Sequence, residues 1–307
     1  MIKPDQMKSS HRKEEASSRM VSFIGVKTRR KLGRFDLATS IVEDVRRNSL
    51  SLEDCDILVI SSKYAAMSEG SYVRLNEVVP TKTAVELSKR YSLDPRLAQM
   101  VLQESQEILG GVPGFALAIT KDGTLAPNAG IDRSNVPKGF VILYPRDPEA
   151  LVMNLRESLI KLWNKKGKSS SSKVRIRRLG IVLSDSRIVP TRLGTTGVAL
   201  AVAGFRPVID LRGKRDLFGN TLKVTMKAVA DQIASGAEIL MGESSESIPI
   251  VIARGIEASL FFREGKGEVA RRVPLTIDRK KCLIINGLRN ALAKEEARED
   301  ILSSQLS

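Results

Sequence analysis

Apolar positions alternate along this chain between two periods, and that alternation predicts a mixed succession of strands and helices. Order is expected to start near Val21, after a polar opening. A short apolar run, Ile57 to Ile60, reads as a strand that opens into Ser61-Ser62-Lys63. Thr83 to Tyr91 and Asp94 to Leu109 carry helical spacing, and in the second Asp94 is the N-cap with Pro95 in the first turn, where its missing N–H costs nothing. Phe115 to Thr120 and Thr124 to Ala126 flank Lys121-Asp122-Gly123, a hairpin signal. Leu151 to Trp163 is an amphipathic helix, and Arg178 to Leu183 a strand expected to end abruptly at Ser184-Asp185-Ser186. The small apolar run from Gly194 to Gly204 has no decisive period. In Thr225 to Leu240, Val229, Ile233, Ala237 and Leu240 form one helical stripe that Gly242 can terminate, and Ile248 to Ala253 is a buried-type strand. Residues 256–307 continue the alternation of helix and strand.

Composition narrows the classes. Hydrophobic residues make up 42% and charged residues 28% of 307, ordinary for a globular chain and too apolar for disorder throughout. No apolar stretch approaches the roughly 20 residues that span a bilayer. Two cysteines, Cys55 and Cys282, make no disulfide framework, and one histidine, His11, leaves no core imidazole base or ligand. With no targeting signal, the cytoplasm is the expected compartment. The formal charge of +15 is concentrated. Residues 1–35 hold ten Lys/Arg against three acids and residues 161–178 eight against none, which accounts for the whole excess. Residues 1–20 read as a disordered basic tail and 164–173, a Lys/Ser/Gly run, as a flexible linker or insertion. A nucleic-acid role for these segments is the weaker reading, because aromatic residues are only 4% of the chain and none interleaves with the basic ones.

Chemistry must therefore come from carboxylates, hydroxyls, lysines and backbone amides. Asp132 follows the hairpin, Asp185 and Ser186 follow a strand, and Glu243 follows a helix terminus. Oxygen ligands of this kind suit Mg²⁺ or Mn²⁺, although an Asx turn, a strand-end cap and simple solvent exposure would account for them singly. Ser61-Ser62-Lys63 and the Gly-bounded string Gly213 to Gly219 are compatible with phosphate, and equally with surface turns. Neither standard glycine-rich nucleotide signature is present, and no serine has a histidine base.

Taken together, several strings resemble one family. Asn128-Ala129-Gly130-Ile131-Asp132 with Ser134-Asn135-Val136, then Leu183-Ser184-Asp185-Ser186 followed by Pro190, Arg192 and Gly194 to Ala199, match its motifs. So do Asp210, Gly213 and Asp216-Leu217-Phe218-Gly219, then Ala230-Asp231, Met241-Gly242-Glu243, Ile248-Pro249 and Arg254-Gly255. Over residues 24–256 the chain resembles the coenzyme F-420-0:L-glutamate ligases. The resemblance implies an α+β fold of the mixed two-domain ligase type, with residues 21–255 as two subdomains, 256–307 as a C-terminal extension, and an intertwined homodimer. It implies amide ligation in which GTP phosphorylates the carboxylate of a deazaflavin precursor and L-glutamate attacks the acyl phosphate. By position, Asp132 and Asp185 would be catalytic and bind one Mg²⁺ or Mn²⁺, Ser186 and Glu243 a second, and K⁺ is a further candidate ion. Ser62, Lys63, Asn135 and the loop Met241, Gly242 to Ile248 would contact the nucleotide.

Three departures point to a divergent member. The family commonly has S-K-A-E-G where this chain has Ala66-Met67-Ser68-Glu69-Gly70, so an ammonium becomes a thioether that cannot neutralise phosphate. A Gly-Arg pair gives way to Ile188-Val189, and an apolar Pro-bearing loop to Thr28-Arg29-Arg30-Lys31. Ligation of a different carboxylate, or a non-catalytic nucleotide- or cofactor-binding role, is the alternative.

Overall fold

The computed structural model describes residues 20–31, 33–166, 175–262 and 274–290. The basic tail before residue 20 and residues 167–173 of the predicted linker lie outside them. Strands β1 (Ser22–Val26), β2 (Asp56–Ser61), β8 (Leu179–Ile188), β9 (Thr195–Ala203) and β12 (Ile250–Arg254) form one sheet in the order β1-β12-β2-β8-β9. Only the β2–β8 pair is parallel, with Ile60 opposite Leu183 and Ser61 opposite Ser184. β2 is apolar on both sides because both faces of the sheet are covered. Leu58 and Ile60 face helices α1 (Leu37–Arg47) and α5 (Pro148–Lys166), while Ile57 and Val59 face α6 (Val229–Met241). Each such fully buried Leu or Ile contributes about 1.5–3 kcal/mol relative to exposure.

The helices follow from their stripes. In α5, Val152, Leu155 and Leu159 recur at helical spacing and are buried against the sheet. α6 presents Val229, Ile233, Ala237 and Met241 with Ala230 and Ala234 between them, and the small residues bring its backbone close to β9. Gly197 on β9 is the contact point: a Cβ there would lie 2.4 Å from the Ala234 carbonyl oxygen.

A second cluster sits beside this sandwich. It gathers α3 (Lys82–Tyr91), α4 (Pro95–Glu104) and the meander β4 (Ser105–Val112), β5 (Phe115–Thr120) and β6 (Leu125–Pro127). Tyr91, Leu97, Met100, Val101, Ala116, Ala118, Ala129, Ile131 and Val141 make its core. The ladder β3 (Tyr72–Arg74) with β7 (Phe140–Ile142), and α2 (Ser62–Glu69), link it to the main sheet. The whole is a mixed α+β fold.

Four expectations change. The helix expected to run from Asp94 to Leu109 ends at Glu104, and residues 105–112 are strand β4. Their apolar spacing fits either element, and pairing with β5 across Pro113-Gly114 decides the outcome. The strand from Arg178 does not end at Ser184-Asp185-Ser186 but runs to Ile188, because β9 pairs with it on the far side of a register shift at Leu183/Ser184. The Gly194–Gly204 run is that partner. The helix expected from Thr225 begins at Val229, since Met226–Ala228 is the strand β11, paired with β10 (Val208–Asp210) in a projecting hairpin. Finally, the described part of 256–307 holds two 3₁₀ turns and a helical stretch over 283–290, with no strand among the described residues.

Candidate functional site

Where β2 ends and β8 continues past it, the sheet leaves a notch, and α2, the C-terminus of α6 and the second cluster close it into a cleft of about 430 Å³. All ten residues singled out from the sequence, Ser62, Lys63, Asp132, Asn135, Asp185, Ser186, Met241, Gly242, Glu243 and Ile248, line it. A larger hollow of about 800 Å³ lies on the other side of Tyr144 and is lined by none of them. The Gly213–Gly219 string is not in the cleft either. It turns the β10–β11 hairpin, with Asp216 accepting from the Phe218 and Asn220 amides, which is the surface-turn reading.

Asp132 is aimed by its own motif. Asn128, Ala129 and Gly130 all have positive φ, a left-handed run that is costly for the buried Ala129 and is held by neighbours. Asn128 Oδ1 accepts from the Ala116 amide, and Gly130 lies so close to Tyr144 that a Cβ would meet its ring at 2.2 Å. The chain then pairs Asp132 with Ile142, which presents the carboxylate to α2. Lys63 Nζ lies 2.5 Å from Asp132 Oδ2, and Ser134 donates from its amide at 2.7 Å and its hydroxyl at 2.9 Å. Burial pushes this carboxyl up, but the bonds from Lys63 and Ser134 together hold it below the ordinary value.

Asp185 sits deeper. Tyr144 Oη donates to its Oδ2 at 2.5 Å and Ser62 Oγ to its Oδ1 at 3.2 Å, while Arg187 Nε is 3.4 Å from Oδ2. Burial dominates, and the carboxyl is raised above its usual range despite these donors. Arg187 also donates to Tyr144 Oη at 3.1 Å and to the Leu125 carbonyl, so the three side chains form one buried unit. Nearer the mouth, Glu243 accepts from Ser186 Oγ at 3.3 Å and Thr195 Oγ1 at 2.5 Å, and Asn135 donates to the Ser244 carbonyl at 2.8 Å, tying the loop after α6 to the Asp132 segment. Glu238, one turn before the end of α6, is pushed up to about 7 by burial and then by the neighbouring charges of Glu243 and Asp185.

Sequence reasoning missed Tyr144, Arg187, Thr195 and Glu238. Arg187 adjoins the Ser-Asp-Ser string and could have been found had β8 been extended; Thr195 lies inside the matched Gly194–Ala199 string, and Tyr144 and Glu238 carry no local signal.

The fit to a divalent cation can be judged from the donors. Among the described residues, no three Asp, Glu, His or Cys side chains already converge as a metal cage. The floor nevertheless carries hard oxygen donors from Asp185, Ser186 and Glu243, together with Glu238, whose carboxyl is raised first by burial and then by neighbouring carboxylates, and Ser184 Oγ, which is buried without a hydrogen-bond partner. Such a floor, rich in hard oxygen donors and holding an orphan hydroxyl, fits a hard cation.

A family model described as F420-0:Gamma-glutamyl ligase matches residues 25–255. The coenzyme F420:L-glutamate ligase of Methanocaldococcus jannaschii is 38% identical over 216 residues, covering 70% of this chain and 81% of its own. The enzyme of the same name from Archaeoglobus fulgidus is 35% identical over 254 residues, 81% of this chain and 93% of its own. That of Methanothermobacter thermautotrophicus is 35% identical over 236 residues, with coverages of 76% and 89%.

Proposed function

The chain belongs to the F420-0:gamma-glutamyl ligase family, and from that premise we propose that it joins L-glutamate to the terminal carboxylate of a deazaflavin cofactor precursor through an amide bond, with GTP as the phosphoryl donor. The observation that carries this reading is that one cleft gathers the carboxylates, hydroxyls and ammonium of four separated chain segments. In the proposed course the precursor carboxylate attacks the γ-phosphorus of GTP, releasing GDP and leaving an acyl phosphate. The glutamate amine then attacks the acyl carbon and phosphate departs. No step needs a side-chain nucleophile or a histidine, which suits a chain whose single histidine is His11.

Asp132 and Asp185 would hold one Mg²⁺ or Mn²⁺, and Ser186 and Glu243 a second. When bound, such ions would draw negative charge from the phosphate oxygens as transfer proceeds. The chain's own residues supply position. Tyr144 and Arg187 fix the Oδ2 edge of Asp185 and leave Oδ1 turned to Ser62 and the cleft. Lys63 balances Asp132 and stands ready to exchange that carboxylate for a phosphate oxygen. Asn135 holds the Ser244–Ile248 loop where a nucleotide would lie. Met67 also lines the cleft, and its thioether leaves Lys63, one helical turn earlier, as the α2 cation available to phosphate. That substitution favours the second reading, a member acting on a different carboxylate or nucleotide.

A homodimer acting in the cytoplasm completes the proposal. Supporting the dimer, Leu217 and Phe218 at the tip of the β10–β11 hairpin are fully exposed in the single chain. No helix among the described residues is long and apolar enough to cross a membrane.

The test is mass spectrometry after incubating the purified protein with the precursor, L-glutamate, GTP and Mn²⁺. The expected product is heavier by one or more glutamyl units, with GDP released. Unchanged precursor, beside an active ligase of the family run in parallel, would shift the reading to another acceptor or to a binding role.

A further inference from the structure

One wall of the cleft plays no part in the chemistry above. Residues 28–31 follow β1 and line one side of the cleft. Thr28 N donates to the Ser247 carbonyl at 2.9 Å on one side, and Phe35 N to the Ser68 carbonyl of α2 at 3.3 Å on the other. Between these anchors Arg29, Arg30 and Lys31 line the cleft, facing the loop Ser244–Ser247 and Met67. Arg29 and Arg30 are exposed and Lys31 half-buried. Among the described residues none of the three has a carboxylate partner; Lys31 Nζ stands 5.3 Å over the Phe35 ring. Three acids that line the cleft are engaged elsewhere: Glu243 with Ser186 and Thr195, Glu246 with the Ser244 amide, Asp132 with Lys63.

Three successive cations with no carboxylate partner among the described residues repel one another at the mouth of the cleft, and an anion held between them would relieve that repulsion. Two guanidinium forks and an ammonium match phosphate oxygens better than a single carboxylate does. Three residues of non-helical chain also extend over about 7–10 Å, the length along which a polyphosphate spreads its charge. We infer that Arg29, Arg30 and Lys31 form a strap across the cleft that binds a phosphate-bearing anion, with the acidic floor beneath it accounting for the ligand's cationic companions. The inference rests on the ligase reading only for the source of the phosphate, which is either the nucleotide's polyphosphate chain or a phosphodiester on the acceptor.

The experiment uses the full chain and a triple variant, Arg29→Gln, Arg30→Gln and Lys31→Gln. Because the three side chains make no ion pair among the described residues, the variant is expected to unfold at the same temperature as the parent. Calorimetric titration with inorganic tripolyphosphate should show binding to the parent that weakens with salt, and roughly tenfold to a hundredfold weaker binding to the variant with a shallower salt dependence. The charge-preserving variant Arg29→Lys, Arg30→Lys, Lys31→Arg should restore most of the affinity. In the ligation assay the triple variant should raise KM for the phosphate source and leave KM for L-glutamate unchanged. A rise confined to the nucleotide assigns the strap to the polyphosphate, and a rise confined to the acceptor assigns it to the phosphodiester. Parent protein that does not bind tripolyphosphate, or a variant that binds it as tightly, overturns the inference. Tripolyphosphate binding through the strap without any ligation would leave the strap standing and remove the ligase reading.

Discussion

Asp132 and Asp185 are the same residue on the same cleft, yet their surroundings push them in opposite directions. Asp132 is 42% exposed at the rim and is answered at once by Lys63 and Ser134, so its charge is settled before any ligand arrives. Asp185 is 23% exposed, its nearest cation stands off at 3.4 Å, and burial outweighs its three donors. The difference lies in how each position is built. Asp132 ends a left-handed loop and faces a helix that carries a lysine, whereas Asp185 is carried past the end of β2 by a strand that keeps going. A carboxylate already paired contributes mainly orientation. One held short of positive charge gains most from whatever cation or phosphate-bound ion enters the cleft.

The largest expected effect follows. Asp185→Asn should lower ligase turnover by at least about 10³-fold, while thermal unfolding shows the fold retained. Asp132→Asn should cost less, about 10- to 100-fold, because it frees Lys63 to meet phosphate directly. Equal losses in the two variants, measured as kcat by product chromatography, would break the comparison.

Stability should separate the two partners in the same sense. Arg187 is 9% exposed and is bonded to both Asp185 and Tyr144, so Arg187→Leu leaves a buried carboxylate without its cation and should cost about 3–5 kcal/mol in urea unfolding. Lys63→Met breaks a pair whose carboxylate is partly open to water and should cost about 1 kcal/mol or less, with its effect appearing in turnover instead. If Arg187→Leu unfolds at the parent's urea concentration, the buried unit around Asp185 contributes orientation without stability.

These two neighbourhoods were unequally legible in the sequence. Around Asp132 all but Lys63 is local: the Asn-Ala-Gly-Ile-Asp string supplies the left-handed turn, and Ser134 and Asn135 follow within three residues. Around Asp185 only Ser186 and Arg187 are local. Tyr144 arrives from a loop 41 positions away, and Glu238 from a helix end, brought in by the β2–β8 parallel pairing and the register shift at Leu183/Ser184. A polar Ser-Asp-Ser run looks like the end of a strand when read singly, because nothing in it announces that β9 will return to pair with it. The overlong reading of α4 has a nearer cause: its continuation through Leu109 was settled by pairing with the next strand, β5. Periodicity alone recovered the elements buried on one or two faces, such as β2, α5 and α6.

A third aspartate sharpens the contrast by having only a structural task. Asp94 caps α4: its Oδ1 accepts from the Arg96 amide at 2.8 Å, and Arg96 closes back on it with bonds of 3.0 and 2.7 Å. The Arg96 side-chain bond, opposed by burial and aided by the amide, lowers this carboxyl to about 2. Its folded value therefore lies below its unfolded value of about 3.9. Between those two values the unfolded chain binds more protons than the folded one, so stability falls as pH falls. The contribution is fully present above about pH 5 and lost on acidifying toward 2. Because Asp94 is partly open to solvent, solvent screening trims that contribution, and Asp94→Ala should cost about 1 kcal/mol at neutral pH. The gap between parent and variant in urea titrations should narrow as pH is lowered through that window, and ligase turnover should be unchanged, since Asp94 lies outside the cleft. A gap that stays constant with pH would mean that the cap acts through shape rather than charge. It would then resemble neither of the cleft aspartates, whose roles both depend on the charge they carry.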